Sequence, residues 1–288
     1  IDTLVKVAKG VGQNCPADEA KHIFEIPGWL EKMIANNWLG DKSGQGFFKK
    51  VKLPVTSGSP EEQKQEKEIQ VLDVKNLEYG KRNKPKFATL EAAKPVEDLK
   101  QRLKILAAGQ DKAGEFYRQF HNSLFSYVSF RIPEISDELY RVDDAMKAGF
   151  GWEIGPFESW DVIGVGKTVE AMKTAGVNVG SWVEEMLSAG NAGFYKTENG
   201  KRLYYDAASK NYKEIPGTGS FIILNNYSDK TVWKNSACRL YDIGEDVVAL
   251  EWSTKMNSIG GEVLEGVQKS IAVAEEVSTG LLIANHRL

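Results

Sequence analysis

The sequence predicts a mainly α fold, with helical units in tandem, a short β hairpin and a small α/β tail. Three observations carry this. Apolar residues recur at helical spacing over most of the stretch from Pro95 to Gly151, as they do on helices that bury one face. After Gly193 the period changes to two around Asn199-Gly200, the strongest short-range hairpin signal. One block also recurs. "ANNWLGDKSGQGFFKK" is echoed by "SAGNAGFYKTENG", and "IDTLVKVAKGVG" by "VGKTVEAMKTAG" from Val165 to Gly176.

Taken in order, the elements divide the chain into four ranges. In 1–52, Pro27 suits a first helical turn, and Leu30, Ile34 and Trp38 follow at helical spacing. A glycine turn and a short strand close this range as a partial first helical unit. Range 53–94 reads as a linker, because Pro54 to Glu68 is rich in Pro, Ser and Gly and then in charge. In 95–215 three apolar stripes predict helices: Val96, Leu99, Leu103 and Leu106; Ala113, Phe116, Phe120, Leu124, Tyr127 and Val128; Ile135, Leu139, Val142 and Met146. Gly149 and Gly151 end the third. Ser181 with Glu184 reads as a capping box. In 216–288 strands are expected at Thr231–Trp233, Ala237–Tyr241 and Val247–Trp252, then a helix and a last buried strand, "GLLIAN".

Composition bounds the function. The chain has 288 residues, room for about two domains with their own cores. Net charge is −3, so there is no basic field for nucleic acid and no polybasic run for an anionic membrane; neither is expected as a partner. Cys15 and Cys238 make neither a disulfide framework nor a metal pattern, which fits a reducing, cytoplasmic setting. No apolar run approaches the ~18 residues of a membrane span. The chain opens on Ile1 within what reads as a helix interior, and is expected to be an excised piece of a longer polypeptide.

"DVIGVGKTVE" contains Gly166-Lys167-Thr168, the end of a phosphate-binding P-loop motif. Such a loop needs a glycine five residues earlier, so that backbone N–H groups face phosphate. Asp161 stands there instead, and its carboxylate would repel the anion. The repeat supplies another reading: Gly166-Lys167-Thr168 aligns with Asp2-Thr3-Leu4 as a helix start, and Gly46-Phe47-Phe48-Lys49 aligns with Gly193-Phe194-Tyr195-Lys196.

"YRVDDAMKAGFGWEIGPFESWDVIGV", followed by a G-F-[FY] turn, resembles the helical C-terminal domain of 3-hydroxyacyl-CoA dehydrogenases. The motifs are Asp144 to Gly151, Gly155-Pro156-Phe157-Glu158 and Asp161 to Gly164, and "LGDKSGQGFF" is close to the family's G-x-K-[ST]-G-x-G-F-[YF]. Tandem copies of this domain occur in multifunctional β-oxidation proteins. "EDVVALEWSTKMNSIGGEVLEGVQKSI" resembles the opening of a crotonase (enoyl-CoA hydratase) domain. The resemblance implies NAD-dependent oxidation of 3-hydroxyacyl-CoA in the parent protein, with this chain supplying substrate-side and pseudo-dimerisation surfaces. A homo-oligomer and a nucleotide-binding domain of the same polypeptide are the implied partners. The alternative is a catalytically silent helical scaffold.

The chemistry itself is expected elsewhere. Hydride transfer to NAD needs a dinucleotide cradle and a base beside the substrate hydroxyl. No G-x-G-x-x-G occurs, and Gly10-Val11-Gly12 has Cys15 at the third glycine position. The chain is therefore expected to hold no catalytic residue, no bound NAD and no metal. His121 is read as a hydrogen-bonded structural histidine, His22 as a surface helix residue, and His286 lies near the end. Glu158, Asp143 and Asp144 are read as helix caps or partners of arginines such as Arg131 and Arg141. Trp152, Trp160 and Trp182 are read as packing. The residues placed near acyl-CoA are Lys42, Ser43, Gly44 and Phe47 in the first range and, by the hydratase resemblance, Lys255, Met256 and Asn257.

Overall fold

Residues 1–52, 67–220 and 222–284 are described by the structure, a computed structural model. The chain divides into two units, Ile1–Lys86 and Phe87–Leu288. The division falls inside the range read as a linker.

The first unit opens with α1 (Asp2–Asn14) and α2 (Gly28–Ala35), followed by strands β1 (Phe48–Lys52), β2 (Lys67–Asp73) and β3 (Glu78–Lys81) in an antiparallel sheet of order β1-β2-β3. Val5, Leu30, Met33 and Leu72 are its buried centre. Trp38, expected on the second helix, lies beyond its end, where Asn37 takes a left-handed φ of 57° and Trp38 N–H donates to Met33 O at 2.8 Å. That is the closing bond of a helix C-terminus. Residues 53–66, which hold most of the supposed linker sequence, lie outside the described residues. The range beyond them carries β2, β3 and the start of the next unit, and Lys52 pairs directly with Lys67 across the sheet.

The second unit begins with α3 (Ala88–Ala93), α4 (Leu99–Ala108), α5 (Lys112–Glu134) and α6 (Leu139–Phe150). Asp98 and Asp111 cap α4 and α5 through their carboxylates. Pro133, which has no N–H, coincides with the break of α5 at Ile132. Next come α7 (Pro156–Ile163), α8 (Val165–Thr174), α9 (Ser181–Ser188) and an antiparallel sheet β4 (Tyr195–Glu198), β5 (Lys201–Asp206), β6 (Asn211–Glu214). Asn199 and Gly200 join β4 to β5 with φ of 51° and 72°, as a two-residue hairpin turn requires. The N-cap of α9 is Gly180 rather than Ser181, whose side chain caps nothing. Gly180 N–H donates to Ser129 Oγ at 2.7 Å, and a Cβ at Gly180 would sit 2.8 Å from Ser129 O. The core of this region is aromatic: Trp160 stacks on Phe125 with ring centres 4.8 Å apart, and Phe157 and Phe194 pack beside it.

The two stretches that resemble each other in sequence share an element order and some pairings. The run α1-α2-β1-β2-β3 has the same order as α8-α9-β4-β5-β6. Phe48 faces Val71 in one sheet as Tyr195 faces Tyr204 in the other. Leu72 N–H donates to Phe47 O at 2.9 Å, and Tyr205 N–H to Phe194 O at 2.7 Å. The Tyr79 hydroxyl donates to Gly46 O at 2.6 Å, and the Tyr212 hydroxyl donates to Gly193 O.

The remainder forms a four-stranded sheet of order β10-β9-β8-β7, from β7 (Thr231–Lys234), β8 (Cys238–Gly244), β9 (Val247–Trp252) and β10 (Gly280–Ile283), with α10 (Gly261–Val277) packed on it. Only the β9–β10 pair is parallel. Asn226 Nδ2 donates to Gly200 O at 3.1 Å, which ties this part to the hairpin turn before it. The last strand, expected to be buried, lies at the sheet edge, with Leu282 and Ile283 exposed.

The expected fold class is corrected here. Ten strands in three small sheets, among the described residues, accompany the ten helices. The protein is mixed α/β, not a mainly α body with a crotonase-like α/β tail. Short, half-exposed strands such as β2 and β3 bury too little apolar surface to leave a clear period-two signal.

Candidate functional site

The family-like motif residues converge where α6, α7 and the β4–β5 hairpin meet. Asp143 is fully buried on α6. Its carboxylate accepts Phe157 N–H at 2.8 Å, Glu158 N–H at 3.0 Å and the Tyr195 hydroxyl at 2.7 Å. The first residues of a helix leave their N–H groups without intrahelical partners, and Gly155, the N-cap of α7, has no side chain to meet them. Asp143 does so from the preceding helix. Gly155 is required for this approach, since a Cβ there would lie 2.3 Å from Asp143 Cβ. Pro156 fits the first helical position. Glu158 closes the cap by accepting Gly155 N–H at 2.7 Å. The G-P-F-E stretch is thus a helix start built around a borrowed cap.

Glu158 also takes Arg202 Nη2 at 2.7 Å and Lys147 Nζ at 3.3 Å. Its expected arginine partners were Arg131 and Arg141, but these pair with Glu134 and Glu138 on their own helix turns. Arg202 arrives from β5, a pairing across 44 residues that local sequence does not announce. Asp144 pairs with Lys147 one turn along α6. Asp161 accepts Phe194 N–H at 2.7 Å and Tyr195 N–H at 2.9 Å. A Cβ on Gly193 would meet Asp161 Oδ1 at 2.8 Å, so the G-F-Y turn needs its glycine. The carboxylate that excludes a P-loop thus clips the second sheet to α7.

Burial pushes Asp143 up to about 7, against the pull of its hydrogen bonds, and pushes Asp161 up to about 6. Glu158 is also desolvated, but Gly155 N–H and the Arg202 guanidinium hold it below the usual carboxylate range. Burial and the neighbouring Asp143 carboxylate push Tyr195 strongly up, so it remains a hydrogen-bond donor. Shifted carboxylates often mark catalytic sites. Here the acceptor positions of Asp143 are occupied by protein donors and the group is sealed from solvent. The arrangement fastens a helix start to a sheet.

The other predicted residues stand apart from this network. Lys42 pairs with Asp2 at 2.5 Å. Ser43 Oγ accepts Leu39 N–H at 2.9 Å, Gly44 takes a left-handed φ of 78°, and Phe47 packs edge-on against Trp29. Lys255, Met256 and Asn257 form one 3-10 turn in which Met256 is 90% exposed. The two sets belong to different units. His121 is buried with Nδ1 2.7 Å from Tyr117 O, and burial lowers its pKa; the carbonyl can only accept, so Nδ1 carries the proton. His22 is exposed on a 3-10 turn rather than an α-helix, and His286 lies outside the described residues. Trp160 is buried, and Trp182 donates to Ser129 O at 2.8 Å.

Among the described residues, the place most like a dinucleotide cradle, at α10, lacks the residues of one. The parallel pair β9–β10 does flank α10, but the turn into that helix carries exposed Met256 and Gly260-Gly261 in place of a G-x-G-x-x-G run. Among the described residues no three His, Cys, Asp or Glu side chains gather as a metal site, and no helix is long and apolar enough to cross a membrane.

The chain is 36% identical over 287 residues to a probable 3-hydroxyacyl-CoA dehydrogenase of Bacillus subtilis, covering 99% of this chain and 34% of that protein. Its likeness is to 3-hydroxyacyl-CoA dehydrogenases. A putative fatty acid oxidation complex trifunctional enzyme of Rickettsia prowazekii is 26% identical over 272 residues, which cover 93% of this chain and 31% of that protein. A similarly named protein of Rickettsia felis is 25% identical over 158 residues, 54% of this chain and 19% of that protein. These relatives support the dehydrogenase family expected from the motifs, and the chain spans about a third of the first two. No family model matches, and no solved structure matches.

Proposed function

We propose that this chain is the helical, substrate-side part of a 3-hydroxyacyl-CoA dehydrogenase acting in fatty acid oxidation, with the NAD-binding domain elsewhere in the same polypeptide. The observation that carries the reading is likeness over 99% of this chain to only 34% of a dehydrogenase. In it, α1–β3 and α8–β6 are equivalent parts of two tandem C-terminal-type units, and their shared register supports that assignment. The parent oxidises 3-hydroxyacyl-CoA to the 3-ketoacyl form, hydride passing to NAD, as is general in these dehydrogenases. This chain supplies rigid walls: the Asp143–Glu158–Arg202 network fixes α6, α7 and the hairpin without moving protons.

The test is a chimera. The chain replaces the matching third of the Bacillus subtilis protein, and NADH formation from a short 3-hydroxyacyl-CoA is followed by absorbance. Turnover within about tenfold of the parent is expected. The 288-residue chain alone should show neither turnover nor micromolar NADH binding by calorimetry. A folded chimera without turnover, or an isolated chain that binds NADH, overturns the reading.

A further inference from the structure

A cavity of about 310 Å³ opens between α4, α5 and the α7–α8 corner. That is at the lower end of the range of roughly 300–1,000 Å³ usual for small-molecule sites. Three cations line it: Lys104 from α4, Arg118 from α5 and Lys167 from α8. No carboxylate does. Lys104 and Lys167 have no ion pair among the described residues. Arg118 is anchored, with Nη1 donating to Ala107 O and Gly109 O at the end of α4. Its remaining N–H groups have no protein partner among the described residues. The rest of the wall is mostly apolar, including Val162, Ile163, Ala107 and Ala171.

Most surface lysines lie near a carboxylate or point freely into water. Three cations around one apolar concavity repel each other, and the field they focus attracts an anion. The other titratable group in the wall is His121, which burial holds neutral, so it neither offsets nor adds to the positive field near neutral pH. Lys167 is the lysine of the Gly-Lys-Thr stretch that fails as a P-loop. The neighbouring Thr168 hydroxyl is spent on Trp160 Nε1 and the carbonyls of Gly164 and Val165, so the threonine is structural while the lysine faces the cavity.

We propose that this cavity binds a small amphipathic anion, its carboxylate or phosphate head at Lys104, Arg118 and Lys167 and its short alkyl body against Val162, Ile163 and Ala171. The inference does not depend on the dehydrogenase reading, and its test uses no catalytic readout. Octanoate, octyl phosphate, inorganic phosphate and octanol are titrated into the 288-residue chain by calorimetry, with amide shifts of α4, α5 and α8 followed by NMR. Octanoate and octyl phosphate should saturate at submillimolar concentration, with phosphate and octanol at least tenfold weaker. A preference between the two octyl anions assigns the head group. Lys104→Gln with Lys167→Gln alters only exposed side chains and should weaken octanoate at least tenfold. Ala171→Trp, also at an exposed position, should block it. Circular dichroism confirms that each variant is folded. Octanoate that fails to saturate, or that binds both folded variants as it binds the parent chain, overturns the proposal.

Discussion

Asp143 concentrates three roles in one side chain: it caps α7, receives the Tyr195 hydroxyl and excludes any side chain from position 155. Its raised titration has a thermodynamic consequence. In the unfolded chain the group ionises near the ordinary value of about 4, whereas in the folded chain it holds its proton to about 7. Its contribution to stability is therefore fully present below about 4 and is lost as pH rises toward 7. Against Asp143→Asn, which does not titrate, the stability advantage of the native residue should shrink by about 1–4 kcal/mol between pH 4 and pH 7. Urea melts at each pH measure it, and the comparison cancels His121 and the other shared groups. A gap that stays flat or widens would show that the carboxylate is ionised throughout. Sequence alone singled out Asp143, Glu158 and Asp161 and read the first two as caps or ion-pair partners. It did not disclose Arg202 or Tyr195 as their partners, because a pairing across 44 or 52 residues is set by how the hairpin returns to the helices and leaves no local periodicity.

At the scale of elements, the repeat was legible from glycine-aromatic turns, while two of the strands that complete it were not. Gly46-Phe47-Phe48 and Gly193-Phe194-Tyr195 announce the turn because each glycine sits where a side chain would collide, although the ring after it is buried only at Phe194 and is exposed at Phe47. A Cβ on Gly46 would lie 2.8 Å from Gly40 Cα, and one on Gly193 the same distance from Asp161 Oδ1. The strands β2 and β3 carry charged residues on their open face and read as linker. Equivalent bonds at Tyr79 and Tyr212 make the repeat testable in solution. Tyr79→Phe and Tyr212→Phe each remove one hydroxyl from a glycine carbonyl and should each destabilise the chain by about 1 kcal/mol, the usual net worth of such a bond. Denaturant midpoints of the two single variants decide it. A loss at one site and none at the other would mean that the two turns are alike in shape but not in energetics.

For the molecule as a whole, the helices were the readable half. The stripe read on α5 has the right period but the wrong face: Phe116 and Phe120 are exposed, and the buried side runs through His121, Phe125, Val128 and Ile132, with Phe125 stacked on Trp160 in the aromatic core. The mixed α/β character was under-read because its sheets have only three or four strands, each too short to show much alternation. The sequence marked α6 by its apolar stripe and its closing glycines, but the helix start at Gly155-Pro156 was not read as one. The sequence said nothing of the cavity lined by Lys104, Arg118 and Lys167, since those residues come from three helices and share no sequence window. The two units each have a hydrophobic centre of their own.

The pairing of Lys52 with Lys67 makes the second copy a template for shortening the first. In the second copy, Glu198 faces Lys201 and two residues, Asn199-Gly200, close the hairpin. In the first, a directly opposed pair is bridged by fourteen residues, 53–66. Replacing those fourteen by Asn-Gly keeps the register and lowers the entropy of closing the loop. By the logarithmic dependence on loop length, a sevenfold shortening is worth about 1.7 kcal/mol. The trimmed protein should melt at a higher denaturant concentration with an unchanged fold. If it melts lower instead, the long connection is itself holding the hairpin together.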